Sequence, residues 1–128
     1  MGKANASIYL RQANNYIVGA YNQINLQQIN GMPRTRYGIY VEGGANNAIA
    51  KNNIEYLGNG SISPDITGFF NGQNLPVAID VIGSLNDTIE CNTTAYTRVG
   101  LRLANNVNGI AVKGNTFGSH FNGLRYAA

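Results

Sequence analysis

The sequence predicts an all-β fold, a right-handed single-stranded parallel β-helix of about four to five coils. Three observations predict it. A motif of one small residue followed by apolar, any, apolar recurs along the chain. A second motif, an apolar residue with Asn three positions later, alternates with it. Neighbouring copies near the C-terminus lie 22 residues apart (Ile79 to Leu101) or 23 apart (Leu101 to Leu124, Ile89 to Val112). A period of this length marks a solenoid, whose unit cannot bury its own apolar face and is completed by its neighbours. Leucine-rich repeats share the length, but their Leu-x-x-Leu-x-Leu frame is absent.

Composition agrees. The chain is rich in Asn and carries 16 Gly and 8 Tyr, with 3 Pro and no Trp. Asn and Gly favour corners over helix interiors, while Ile, Val and Tyr favour extended segments. In chain order, Ser7-Ile8-Tyr9-Leu10 opens the small-apolar series, and Gly19-Ala20-Tyr21-Asn22-Gln23-Ile24 opens the Asn series with Gly19 as an imperfect apolar slot. Gly38-Ile39-Tyr40-Val41 and Ile49-Ala50-Lys51-Asn52-Asn53-Ile54 form the next coil. Ala78-Ile79-Asp80-Val81 and Ile89-Glu90-Cys91-Asn92-Thr93-Thr94 follow, with Thr94 the second imperfect slot. Gly100-Leu101-Arg102-Leu103, Val112-Lys113-Gly114-Asn115-Thr116-Phe117 and Gly123-Leu124-Arg125-Tyr126 complete the series. Alternation of period two directs Ile39 and Val41 inward and Tyr40 outward. By the same rule Ile17, Ile24, Ile49, Ile54, Ile79, Val81, Ile89, Leu101, Leu103, Ile110, Val112, Phe117 and Leu124 join the interior.

Asn22, Asn52, Asn92 and Asn115 fall in register and are expected to stack as a structural ladder at one corner. Each amide carries donors and an acceptor for both neighbours, and Asn tolerates the left-handed conformation of a tight corner. Ile39 to Ile79 and Ile49 to Ile89 are each 40 residues apart. The surplus falls between the Asn motif and the next small-apolar motif, giving corner insertions at 25–37 and 55–77 in a single domain spanning 1–128. Insertions at one corner of adjacent coils are expected to lie side by side. Neither end offers an amphipathic cap helix. The expectation is a piece of a longer chain, or ends covered by partner subunits.

Several function classes are disfavoured. Nine Lys and Arg against six Asp and Glu leave a net charge of +3, and no run of three basic residues exists. A nucleic-acid surface needs a denser stripe. The single Cys91 has no partner thiol and no metal-ligand spacing, and the single His120 cannot build a metal cluster, so neither metal nor cofactor is expected. No 18-residue apolar run is present, so membrane insertion by a helix is not expected. The start, Met1-Gly2-Lys3-Ala4-Asn5, lacks the apolar core of a signal peptide. Asn5, Asn59, Asn86 and Asn92 head Asn-x-Ser/Thr sequons, which abundant Asn produces by chance.

The coils around Asn46–Ile54 with Gly38–Val41, and Asn108–Phe117 with Gly123–Tyr126, resemble the pectate-lyase-like right-handed parallel β-helix superfamily. In character they are closest to phage tailspike and tail-fibre proteins. The resemblance covers roughly residues 6 to 126. It implies a homotrimer, located on a virion tail or outside the cell, that binds or cleaves host surface polysaccharide, with paired carboxylates in a groove where such proteins are active. The calcium-binding Asp cluster and catalytic Arg of true pectate lyases have no match here.

Candidate chemistry follows from the stacked frame. Tyr40, Asp80, Arg102 and Arg125 form one outward column suited to a sugar and its carboxylate. Asp80 and Glu42, two residues beyond Tyr40, are the candidate catalytic pair, because glycoside hydrolysis needs two carboxyl groups about 5 to 9.5 Å apart. Glu55 and Asp65 offer a second pair in the larger insertion, and in a trimer the acids could come from different subunits. Phe69 and Phe70 are candidate glycan contacts, since aromatic faces in such loops stack on sugars or bury at an interface. A structural, host-glycan-binding segment of a tailspike-like protein is the first functional reading, and a polysaccharide-degrading enzyme is the alternative. A stacking scaffold with open ends is a third.

Overall fold

A computed structural model of the chain describes residues 6–26, 37–56, 76–118 and 122–127. Among these residues every regular element is a β-strand. The first sheet contains, in spatial order, β1 (Ala6–Arg11), β4 (Tyr37–Glu42), β7 (Val77–Ile82), β10 (Val99–Ala104) and β13 (Asn122–Ala127). The second contains β2 (Ile17–Val18), β5 (Ala48–Ala50), β8 (Thr88–Glu90) and β11 (Ala111–Lys113). The third contains β3 (Gln23–Leu26), β6 (Asn53–Tyr56), β9 (Thr93–Ala95) and β12 (Thr116–Gly118). All pairings are parallel. The chain visits the sheets in the same order each time. Each such trip is one pass; four are complete, and β13 begins a fifth. Parallel neighbours need a crossover between them, and the strands of the other two sheets supply it. The arrangement is consistent with a parallel β-helix.

Register explains the repeat. Ile39, Ile79, Leu101 and Leu124 align across the first sheet, as do Val41, Val81, Leu103 and Tyr126. Val18, Ile49, Ile89 and Val112 align across the second. Ile24, Ile54, Thr94 and Phe117 align across the third. Side chains from all three sheets belong to one buried cluster. The small residues that open the first-sheet motif have a packing reason. A Cβ on Gly100 would lie 2.5 Å from the Phe117 ring and 2.7 Å from the Gly123 carbonyl oxygen, so the first and third sheets meet there without room for a side chain.

Three expectations need correction. Ile17 faces outward and is 76% exposed, while its neighbour Val18 takes the interior slot opposite Ile49. Between Val18 and Asn22 this pass holds one residue more than the later passes hold between Ile49 and Asn52. Gly19 is therefore not the apolar slot, and it lies against the Ala50 carbonyl, where no Cβ fits. Leu124 stands in an interior column yet is 51% exposed, because no described pass follows it, whereas Ile110, Val112 and Phe117 are half-buried and pack against the core as expected. The left-handed backbone at the ladder corner belongs not to the asparagines but to the residue before each one: Tyr21 (φ 67), Lys51 (φ 59), Cys91 (φ 57) and Gly114 (φ 67). Residues 27–36 and 57–75, the bulk of both insertions, lie outside the described residues. Both interrupt the same step, from the third sheet back to the first.

Candidate functional site

The outer face of the first sheet carries the largest grouping of chemically capable side chains among the described residues. It is built by register. Tyr9, Tyr40, Asp80, Arg102 and Arg125 stand opposite one another on β1, β4, β7, β10 and β13. Ile39 and Val41 on either side of Tyr40 are held inward by the core, so alternation directs this column to the surface. Tyr37 joins it, because Gly38 and Ile39 both face inward and return Tyr37 to the outer side. Its ring stacks on Tyr40 at 4.7 Å between centroids and 21° between planes, and Tyr9 stacks on the other side at 5.3 Å and 26°. Three aromatic rings thus line the first two passes.

The charged half is ordered by an ion pair. Arg102 Nε donates to Asp80 Oδ1 at 2.9 Å and Nη2 donates to Oδ2 at 2.8 Å, a bidentate fork. Asp80 is 0% exposed even though its strand position points outward. Burial pushes its carboxyl above the ordinary carboxylate value, and the two Arg102 bonds pull it back only in part. Those same bonds hold the Arg102 guanidinium further up. Glu42 accepts a 2.5 Å hydrogen bond from the Tyr9 hydroxyl. This bond, with some burial, raises the Tyr9 phenol above its usual value. Burial first, then the neighbouring Glu42 and Asp80 charges, raises Tyr40 as well. Both phenols are therefore hydrogen-bond donors at neutral pH. Arg125 is exposed at the end of the column.

The site brings Tyr40, Asp80, Arg102 and Arg125 into one column, with Glu42 in the adjacent column between Arg11 and Ile82. Asp80 and Glu42 are committed to different partners, Arg102 and Tyr9. Glu55 sits on β6 opposite Asn25 and Ala95, on another sheet. Phe69, Phe70, Asp65 and His120 lie outside the described residues. Sequence reasoning passed over Tyr9 as a site residue although it occupies the Tyr40 slot one pass earlier. It also missed Tyr37, whose outward turn depends on the paired inward Gly38 and Ile39. Among the described residues no group of three or more His, Cys, Asp or Glu gathers to hold a metal.

At the corner between the second and third sheets the four asparagines bond upward in sequence. Asn22 Nδ2 donates to Asn52 Oδ1 (2.9 Å), Asn52 Nδ2 to Asn92 Oδ1 (3.0 Å) and Asn92 Nδ2 to Asn115 Oδ1 (2.9 Å). Each later amide also donates to a strand carbonyl of the pass before: Val18, Ile49 and Ile89 in turn. This ladder is internal to the fold, since Asn52 and Asn92 are buried. Beside it, an open depression of about 490 Å³ is lined by residues including Tyr21, Lys51, Asn53 and Cys91. A second, of about 530 Å³, reaches from Tyr9 past Arg11 to Tyr16 at the first-pass end.

No family model, curated protein or solved structure matches the chain.

Proposed function

We propose that the passes close into a right-handed parallel β-helix whose first-sheet face binds surface glycan, as a structural segment of a tailspike-like protein. The observation that carries this reading is the outward stripe of three stacked tyrosines continuing into Arg102 and Arg125. The stacked rings form a continuous aromatic row with polar tips, which suits a ligand that carries both apolar C–H surface and hydroxyls. Arg recognises carboxylate by paired N–H donors, and the net charge of +3 favours an acidic polysaccharide. The commitment of both Asp80 oxygens to Arg102 supports binding over hydrolysis, because a working acid or nucleophile must be free to reach the glycosidic bond.

The test is titration calorimetry against a panel of acidic and neutral capsular polysaccharides. An acidic member should bind, and Tyr40→Ala and Arg125→Ala should each weaken it by about tenfold while circular dichroism stays unchanged. New reducing ends should not appear. Absence of binding across the panel, or two variants that bind as the parent does, overturns the reading.

A further inference from the structure

Resting on the glycan reading of the same face, we infer that the first sheet selects an acidic polysaccharide whose carboxylates are separated by uncharged sugars, and that Glu42 is the specificity-determining residue. Charge is unevenly distributed along the tyrosine–arginine column. Arg125 is exposed, and among the described residues no ion pair engages it, whereas Arg102 is neutralised by Asp80. That pairing occupies Nε and Nη2 of Arg102 and leaves Nη1, on a partly exposed side chain, to donate. A ligand carboxylate is therefore held by the charge of Arg125, with Arg102 beside it in the column as a further donor.

The aromatic part of the column has the opposite character. Glu42 lies two residues beyond Tyr40 on β4, on the same outer face and about 7 Å along the strand. The Tyr9 hydroxyl donates to it, which fixes the carboxylate beside the Tyr9–Tyr40 stack. Arg11 stands opposite Glu42 on β1, on the side away from β7, and forms no ion pair with it. The Tyr40 phenol registers the local field: after burial, the charges of Glu42 and Asp80 raise it. An uncharged sugar over these rings keeps the ring contact and can donate hydroxyl bonds to Glu42. A carboxylate in that place would face Glu42 with no paired cation to offset it. Like charges brought together on a binding surface reject the ligand that carries them.

Spacing turns this into a pattern. From β4 to β13 is three strand steps, about 14 Å. A glycan lying along the column with one carboxylate at Arg125 therefore sets a different sugar over Tyr40. A polymer charged on every sugar cannot avoid placing a carboxylate beside Glu42. One charged at intervals can place an uncharged sugar there. Attraction at Arg125 and repulsion at Glu42 together select the interval.

Titration calorimetry with hyaluronan, which carries a carboxylate on every second sugar, and alginate, which carries one on every sugar, tests this. The parent should bind hyaluronan about tenfold more tightly than alginate. Alginate with about half of its carboxyl groups capped as methyl esters should recover most of the difference. Glu42→Gln keeps an acceptor for the Tyr9 hydroxyl and loses the charge, so the ratio of the two dissociation constants should fall toward one through tighter alginate binding. Glu42→Asp keeps the charge and should keep the preference. Circular dichroism checks that both variants fold, and the esterified alginate carries the test if Glu42→Gln does not. A parent that binds alginate as tightly as hyaluronan, a preference that survives Glu42→Gln, or esterification that gains nothing overturns the inference and leaves the glycan reading standing. Failure to bind either polymer also overturns it, while the glycan reading is decided by its own panel.

Discussion

Asp80 and Asp87 are both fully buried acids, and their neighbours give them opposite mutational behaviour. Asp80 depends on Arg102 for both oxygens. Arg102→Ala would strand a buried carboxylate and should destabilise the fold by about 3 kcal/mol at neutral pH. The sign with pH follows from the raised Asp80 carboxyl. The fold favours its neutral form, so the stabilising contribution is complete below the ordinary carboxyl range and is lost as pH rises through the raised value. Removing Arg102 takes away the bonds that lower that value, so the deficit of Arg102→Ala should shrink from about pH 7 to about pH 4 in urea melts. Asp87 differs. Its Oδ1 accepts the Asn47 backbone N–H at 2.8 Å, but its Oδ2 is the one buried side-chain oxygen or nitrogen without a partner among the described residues. Asn47, in the same column one pass earlier, turns its Nδ2 to the Ala13 carbonyl at 3.0 Å. The matching carbonyl for Asp87 is that of Gly44. Asp87→Asn should supply the missing donor and raise stability by about 1 kcal/mol, measured by chemical denaturation.

The corner ladder behaves as one element because its members share bonds. Asn92 is 1% exposed, donates to Ile49 and Asn115, and accepts from two donors of Asn52. Asn92→Ala leaves buried donors of Asn52 and the Ile49 carbonyl without that partner. At about 1 kcal/mol or more for each stranded group, the loss should reach about 3 kcal/mol. Asn22→Ala, at the half-buried end, should cost about 1 kcal/mol in the same denaturation assay. The turn just before the ladder carries strain of its own. Lys51 is exposed and holds φ 59, where Gly114 sits in the last pass without a Cβ. The first sheet shows the converse constraint. Gly100→Ala forces a methyl into the Phe117 ring and the Gly123 carbonyl and should lower stability by about 1–3 kcal/mol.

Among the described residues, stability should fall from the middle passes toward the last strand, where Leu124 and Tyr126 stand in interior columns yet are largely exposed. Leu101 is fully buried between Ile79 and Leu124. Leu101→Ala should cost about 3–5 kcal/mol, whereas Leu124→Ala, half-exposed already, should cost about 1 kcal/mol. Thermal melts of the two variants check the gradient.

The sequence alone determined the periodic parts of this protein. Alternating Ile and Val set which strand faces turn inward, and the spacing of motifs set which residues meet across passes, so the Tyr40–Asp80–Arg102–Arg125 column and the asparagine series were legible as lines of text. Those features depend on counting, and counting needs no coordinates. Tertiary structure decided what counting cannot reach. The extra residue before Asn22 moved the interior slot from Gly19 to Val18 and turned Ile17 outward. Two consecutive inward residues, Gly38 and Ile39, brought Tyr37 back to the outer face. Asp80, outward by period, became fully buried because Arg102 reaches across one strand spacing and closes over it. Each of these is a side-chain or backbone response to a neighbour one pass away, and such neighbours are 22 to 40 residues distant in the chain.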